Sequence, residues 1–298
     1  MARTRFRSDR GLTLRMGGVG LGLGALYVAF GALLITQTGF ALGLIITLGM
    51  AWGQWFFSDT LALKSMGAKV VAPEQAPELH AMIDRLCSLA DMPKPKVAIS
   101  VTDMPNAFAA GRTPNHSAVC VTTGIMQRLD ADELEGVLAH ELAHIANRDV
   151  SVMTVASSLG LLAGFITRWG MYFGGGRNRG NNGGGVPFLV VLAVSLVVYF
   201  VSFLLTRALS RYRELSADRS GAYLTGRPST LSSALVKISG EMARIPNKDL
   251  REGSAISAFF FAPAINRESI GALMSTHPPL QQRLDNLAQI GAELSEKG

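Results

Sequence analysis

The 298-residue chain is 48 % hydrophobic and only 17 % charged, too apolar for an ordinary soluble enzyme, and its two cysteines are too few for a disulfide-stapled secreted fold. Its net charge of +6 owes much to Arg3, Arg5, Arg7, Arg10 and Arg15, and no nucleic-acid-binding motif accompanies it. The basic balance therefore fits an anionic membrane surface and excludes nucleic acid as a partner.

The apolar excess is concentrated in four stretches. Residues 16–36 and 40–57 are almost uncharged, and each approaches the roughly 20 residues that cross a bilayer. Residues 150–167 and 187–206 are two further candidates, the last strongly apolar and β-branched. The arginines ahead of the first stretch place the amino terminus in the cytoplasm, and Lys64 and Lys69 after the second agree with a return to that side. The glycine-rich stretch 174–185 between the third and fourth carries Arg177 and Arg179 and no phosphate-loop Lys-Ser/Thr, so it reads as a flexible loop.

This gives five segments. Residues 1–15 form a basic cytoplasmic terminus, 16–57 a transmembrane hairpin, and 58–149 the first part of a catalytic domain. Residues 150–206 form a second membrane hairpin, and 207–298 complete the catalytic domain. The expected fold class is mainly α with a small β-sheet, an α+β domain carried by four transmembrane helices.

Within the first catalytic part, residues 77–92 read as a helix, with Pro77 in its first turn and Leu79, Met82, Ile83, Leu86 and Leu89 on one face. His80 falls on the other side and is expected in solvent. Strands are expected at 96–101, 106–111 and 117–122, the last two joined by a turn at 113–116 that makes His116 a turn residue. A short helix at 123–129 follows, and Asp130 or Asp132 starts the next. Cys87 and Cys120 read as small buried hydrophobes.

That next helix carries the chemistry. His140 and His144 are four residues apart, so both imidazoles lie on one face and reach one cation, with Glu141 beside them. Two neutral imidazoles and a third protein donor leave a position open for water, whose pKa falls to about 7, and a nearby carboxylate takes its proton as it attacks a carbonyl. A chance His-Glu-x-x-His is expected in roughly one such chain in 300.

The third donor must come from elsewhere. Glu214 and Asp218 are again four apart on a helix expected over 205–224, beyond the segment that returns to the catalytic side. Glu214 would bind the metal and Asp218 would anchor a ligand histidine. By spacing alone, an exposed acidic pair among arginines stays open as the alternative. Helical periodicity continues through Leu235 and Ile238, and a last helix carries Leu280, Leu284, Leu287 and Ile290. His277, stiffened by Pro278 and Pro279, is a candidate to stabilise an oxyanion.

His140-Glu141-Leu142-Ala143-His144, followed after a hydrophobic segment by Arg-x-Arg-Glu214-Leu-Ser-Ala-Asp218, resembles the M48 metallopeptidases, and among them the HtpX-type membrane proteases. Pro105-Asn106-Ala107-Phe108-Ala109 resembles the family's strand motif, and Ser275-Thr276-His277-Pro278-Pro279 its carboxy-terminal motif. The resemblance covers nearly the whole chain. It implies one Zn2+ held by His140, His144 and Glu214, with Glu141 as general base. It also implies a gluzincin domain at the cytoplasmic face of a bacterial inner membrane, and quality control of misfolded or damaged membrane proteins under stress.

An extended substrate would pair with an edge strand, either around Asn106, Ala107 and Phe108 or along 117–122. Two rivals remain: a prenyl-protein (CAAX) protease of the same superfamily, which needs more spans than the four visible, and a non-catalytic scaffold stabilised by zinc. The intact Glu141 speaks against the scaffold.

Overall fold

A capping box sets the position of the central helix. The Asp130 side chain accepts the Glu133 amide at 2.9 Å while the Glu133 carboxylate accepts the Asp130 amide at 3.1 Å, so the helix begins at Ala131. The computed structural model describes residues 10–35, 45, 49, 52–53, 55–154, 156, 160, 163–164, 188–242 and 277–296. In chain order the elements are α1 (Arg10–Ile35), α2 (Ser58–Ser65), β1 (Lys69–Val70), α3 (Pro77–Ala90), β2 (Lys96–Ser100), β3 (Ala107–Thr113) and β4 (His116–Thr122). They continue with α4 (Thr123–Arg128), α5 (Ala131–Ala146), α6 (Phe188–Thr225), α7 (Pro228–Met242) and α8 (Leu280–Ser295).

The four strands form one mixed sheet in the order β1-β2-β4-β3, with β2 and β4 parallel and the outer pairs antiparallel. Strand β4 is therefore central, which rules out residues 117–122 as the open edge and leaves β3. Gly111 sits at a register shift near the end of β3 with φ 126°, where an added Cβ would strike the His116 carbonyl. The apolar face of α3 (Leu79, Ile83, Leu86) meets Val137, Leu138 and Leu142 of α5, Leu231, Leu235 and Ile238 of α7, and Leu287 and Ile290 of α8 in one core. Helix α5 thus runs through the centre of the domain, and twelve of its sixteen residues are buried. Polar side chains held there face other protein groups rather than water.

Two expectations change. His80 is buried, and its Nε2 lies 3.1 Å from the Val71 carbonyl; the chain entering α3 folds over a side chain that periodicity alone assigned to solvent. The helix expected to start near Leu205 is the second half of an unbroken 38-residue α6, because the fall in hydropathy after Thr206 interrupts no backbone hydrogen bond. Among the described residues one helix segment, Leu192–Thr225, is long and apolar enough to cross a membrane. Helix α1 packs against α6 through Leu23, Leu205 and Leu209, joined by Val152, Met153 and Ala156. Most of 40–57, half of 150–167, the glycine-rich stretch 174–185, and residues 275 and 276 lie outside the described residues.

Candidate active site

Helices α5 and α6 cross at Gly221. A Cβ there would lie 2.9 Å from the His140 amide nitrogen and 3.1 Å from the Ala139 carbonyl carbon, so only a glycine lets the two backbones meet this closely. That contact places the acidic pair of α6 over the histidines of α5. His140 and His144 turn their Nε2 atoms toward each other at 3.1 Å, and Glu214 sits 3.8 Å from the first and 3.5 Å from the second. Donor atoms of the three residues all lie within 4.8 Å of one another.

Each ring is held from behind. Asp218 lies 2.9 Å from His140 Nδ1 and Asp149 lies 2.5 Å from His144 Nδ1, which assigns the proton to Nδ1 on both rings and leaves the Nε2 lone pairs pointing at one spot. Two converging lone pairs and a carboxylate repel unless a cation lies among them. Their separations match the roughly 3–4 Å expected between donors about 2 Å from a shared ion, and an N2O donor set suits zinc.

Burial dominates the electrostatics. The His140 pKa is lowered by desolvation, which outweighs Asp218. Burial also acts to lower that of His144, but Asp149, helped by Glu214 and Glu141, pushes it up to about 9; a cation at the Nε2 atoms competes with that second proton and frees the lone pair. Glu141 is buried beside them and desolvation pushes its carboxyl up to about 8, with His144 and the backbone of Ala109 opposing and Glu214 reinforcing. A bound divalent cation opposes that rise as well.

The contact with Ala109 locates the sheet edge. Asn106 O accepts the Thr122 amide, so Asn106 and Phe108 turn their backbone groups toward β4, and alternation turns those of Ala107 and Ala109 toward the open side near Glu141. Of the three edge residues expected from sequence, Ala107 alone presents its backbone outward. Phe108 is buried against Ala62, Leu63 and Ala98.

His277 is also at the site, its Nδ1 2.9 Å from Glu214 Oε2. Three residues given no role in the sequence reading complete the surroundings. Arg283 of α8 is 1 % exposed and grips Asp218 through Nε at 2.8 Å and Nη2 at 2.6 Å, with Nη1 3.8 Å from Glu214. Asp149 lies behind His144, and Arg213 contacts Asp149 in turn. The one local signal for Arg283 was its position on the last helix shortly after the His277-Pro278-Pro279 motif.

The profile of peptidase family M48 matches residues 73–290, which hold every residue of this site. The chain is 52 % identical to Protease HtpX homolog 1 of Streptomyces coelicolor over 98 % of its own length and 97 % of that protein. It is 51 % identical to the Protease HtpX homolog of Moorella thermoacetica over 99 % of both. The crystal structure of S. mikatae Ste24p shares the fold at a TM-score of 0.55 and 17 % identity, over 91 % of this chain, which spans 62 % of the length of that one. With its site geometry, its matched residues and these near-full-length relatives in agreement, the chain belongs to peptidase family M48.

Proposed function

We propose that the chain is a zinc metalloendopeptidase anchored in the bacterial inner membrane, cutting unfolded or damaged membrane proteins at the cytoplasmic face as part of quality control under stress. The observation that carries this reading is the convergence of His140, His144 and Glu214 on one point beside the buried Glu141. The apolar half of α6 and the arginine-rich terminus support a membrane setting with the site inside. His140 and Glu214 must meet, so the chain between them crosses the bilayer twice or not at all; the apolar half of α6 favours twice.

Zinc, when bound, would supply a Lewis acid for the scissile carbonyl and lower the pKa of its water to about 7. Glu141 takes the water's proton as the carbonyl is attacked and hands it to the leaving amine. Its burial raises its proton affinity, so the same carboxylate serves as base and then as acid. His277, held through Nδ1 on Glu214 beside the histidine pair, is the side chain we assign to the developing oxyanion. The outward backbone groups of Ala107 and the carbonyl of Ala109, whose amide is taken by Glu141, pair with an extended substrate, selecting unfolded segments by main chain rather than by side chain.

Metal analysis and casein digestion test the reading together. The purified protein should hold one zinc per chain, lose digestion to a chelator and regain it with zinc. Digestion indifferent to chelation would overturn it.

A further inference from the structure

The turn leaving α5 is held by the helix that brings Glu214. Arg148 sits there at φ 55°, a left-handed conformation that a non-glycine residue rarely adopts, so the turn needs outside support. Arg213 supplies it, donating to the Asn147 carbonyl at 2.8 Å and to the Asp149 carboxylate. The other Asp149 oxygen takes His144 Nδ1 at 2.5 Å. Asp149 and Arg213 are both largely buried, with side-chain exposures of 9 % and 12 %. Arg213 immediately precedes Glu214, and its guanidinium also reaches Met16 of α1 at 4.0 Å.

We infer that Asp149 and Arg213 form a positioning pair that locks the ring of His144 and ties it, through the backbone of α6, to Glu214. The inference rests on the metal-site reading above. Asp218 does the same for His140 from the same helix, so α6 orients all three donors: Glu214 by its own side chain, His140 through Asp218 and His144 through the Arg213–Asp149 contact. Without Asp149 the His144 ring can rotate about its χ2 and exchange tautomer, and the metal loses a pre-oriented donor. Without Arg213 the Asp149 carboxylate loses its guanidinium partner and the strained turn loses its brace.

The test uses the full chain in detergent, comparing the parent with Asp149→Ala, Arg213→Met and Arg213→Lys. Zinc affinity is measured by competition with a chromophoric chelator, and thermal midpoints are recorded with and without zinc. Positioning predicts zinc binding weakened about 10- to 100-fold in Asp149→Ala and Arg213→Met, substantially restored in Arg213→Lys, with the zinc-dependent gain in midpoint reduced on top of whatever the metal-free midpoint loses. Unchanged affinity in both, or a lowered metal-free midpoint with affinity intact, overturns the inference; if Asp149→Ala does not accumulate, Arg213→Met decides alone. Failure of the parent itself to bind zinc would sink the metal-site reading instead.

Discussion

Arg283 and Asp218 form a fork-to-fork ion pair inside the protein, two hydrogen bonds of 2.6 and 2.8 Å between side chains that are 1 % and 0 % exposed. Burial opposes the charge on Arg283, and Asp218 more than restores it, so its pKa is raised. Removing one partner strands the other: Arg283→Met should destabilise the fold by about 3–5 kcal/mol and lower zinc occupancy through His140. Adding Asp218→Asn to that variant should cost less than the sum of the two, measured as thermal midpoints of the three proteins.

Glu141→Gln should reduce hydrolysis by at least about 10²–10⁴-fold while leaving zinc content at one per chain, because the donors remain and only the proton acceptor goes. Glu214→Ala should lower both. Parent-like casein digestion by the first variant would remove Glu141 from the mechanism, and full zinc content in the second would remove Glu214 from the metal.

Gly221→Ala places a methyl group against the His140 backbone, and α5 and α6 must separate to admit it. A loss of about 1–3 kcal/mol is expected, together with weaker zinc binding because the two carboxylates move away from the histidines. A variant with the parent's midpoint and zinc affinity would show that the helices are not in contact there.

Acid sensitivity should trace in part to Glu133. Burial acts to raise its pKa, but Lys237, Ser233 and the Asp130 amide, all hydrogen-bonded to it, lower it below the usual carboxylate value. A depressed folded-state pKa means stability that is present above the unfolded value of about 4.3 and lost as pH falls through the lower folded one. Glu133→Gln should therefore unfold earlier than the parent at pH 7, and the gap should close below about pH 4. A gap independent of pH would mean that the carboxylate charge contributes nothing.

Both native thiols are buried, and desolvation pushes Cys87 up to about 11 and Cys120 up to about 12, so neither competes for a maleimide at neutral pH. An Asn181→Cys variant, built with Cys87 and Cys120 replaced, should react with a membrane-impermeant maleimide in intact cells if residues 174–185 lie outside. Labelling only after the membrane is opened would place that stretch in the cytoplasm and remove two of the four spans.

The two histidines, the glutamate between them and the acidic pair of α6 were legible because each set is local and its spacing fixes a shared helix face. The start of α5 was legible for the same reason, since Asp130 and Glu133 cap it within one turn. What escaped the sequence depends on distant contact. His80 reads as solvated until the Val71 carbonyl is seen against it, and Arg283 is one arginine among many until α8 carries it 65 positions back to Asp218. Strand β3 could be named as an edge candidate, but which of its residues turn outward depends on register with β4. The end of α6 was legible to within one residue, 224 against Thr225, but hydropathy split at Thr206 what the backbone joins into one helix.

The continuity of α6 has a mechanical meaning. From Leu192 to Glu214 the helix runs 22 residues, about 33 Å at 1.5 Å per residue, with no break between the apolar half and the residues that face the histidines. In the proposed setting it is a lever with lipid at one end and a metal donor at the other. Hydrophobic mismatch with the bilayer biases the tilt that packing against α1 gives such a rod, and a tilt of even a few degrees moves its far end by an ångström or more, which is the scale on which ligand geometry is decided. Activity measured in lipids of different chain length should therefore vary even when the soluble substrate, the zinc and the pH are held constant.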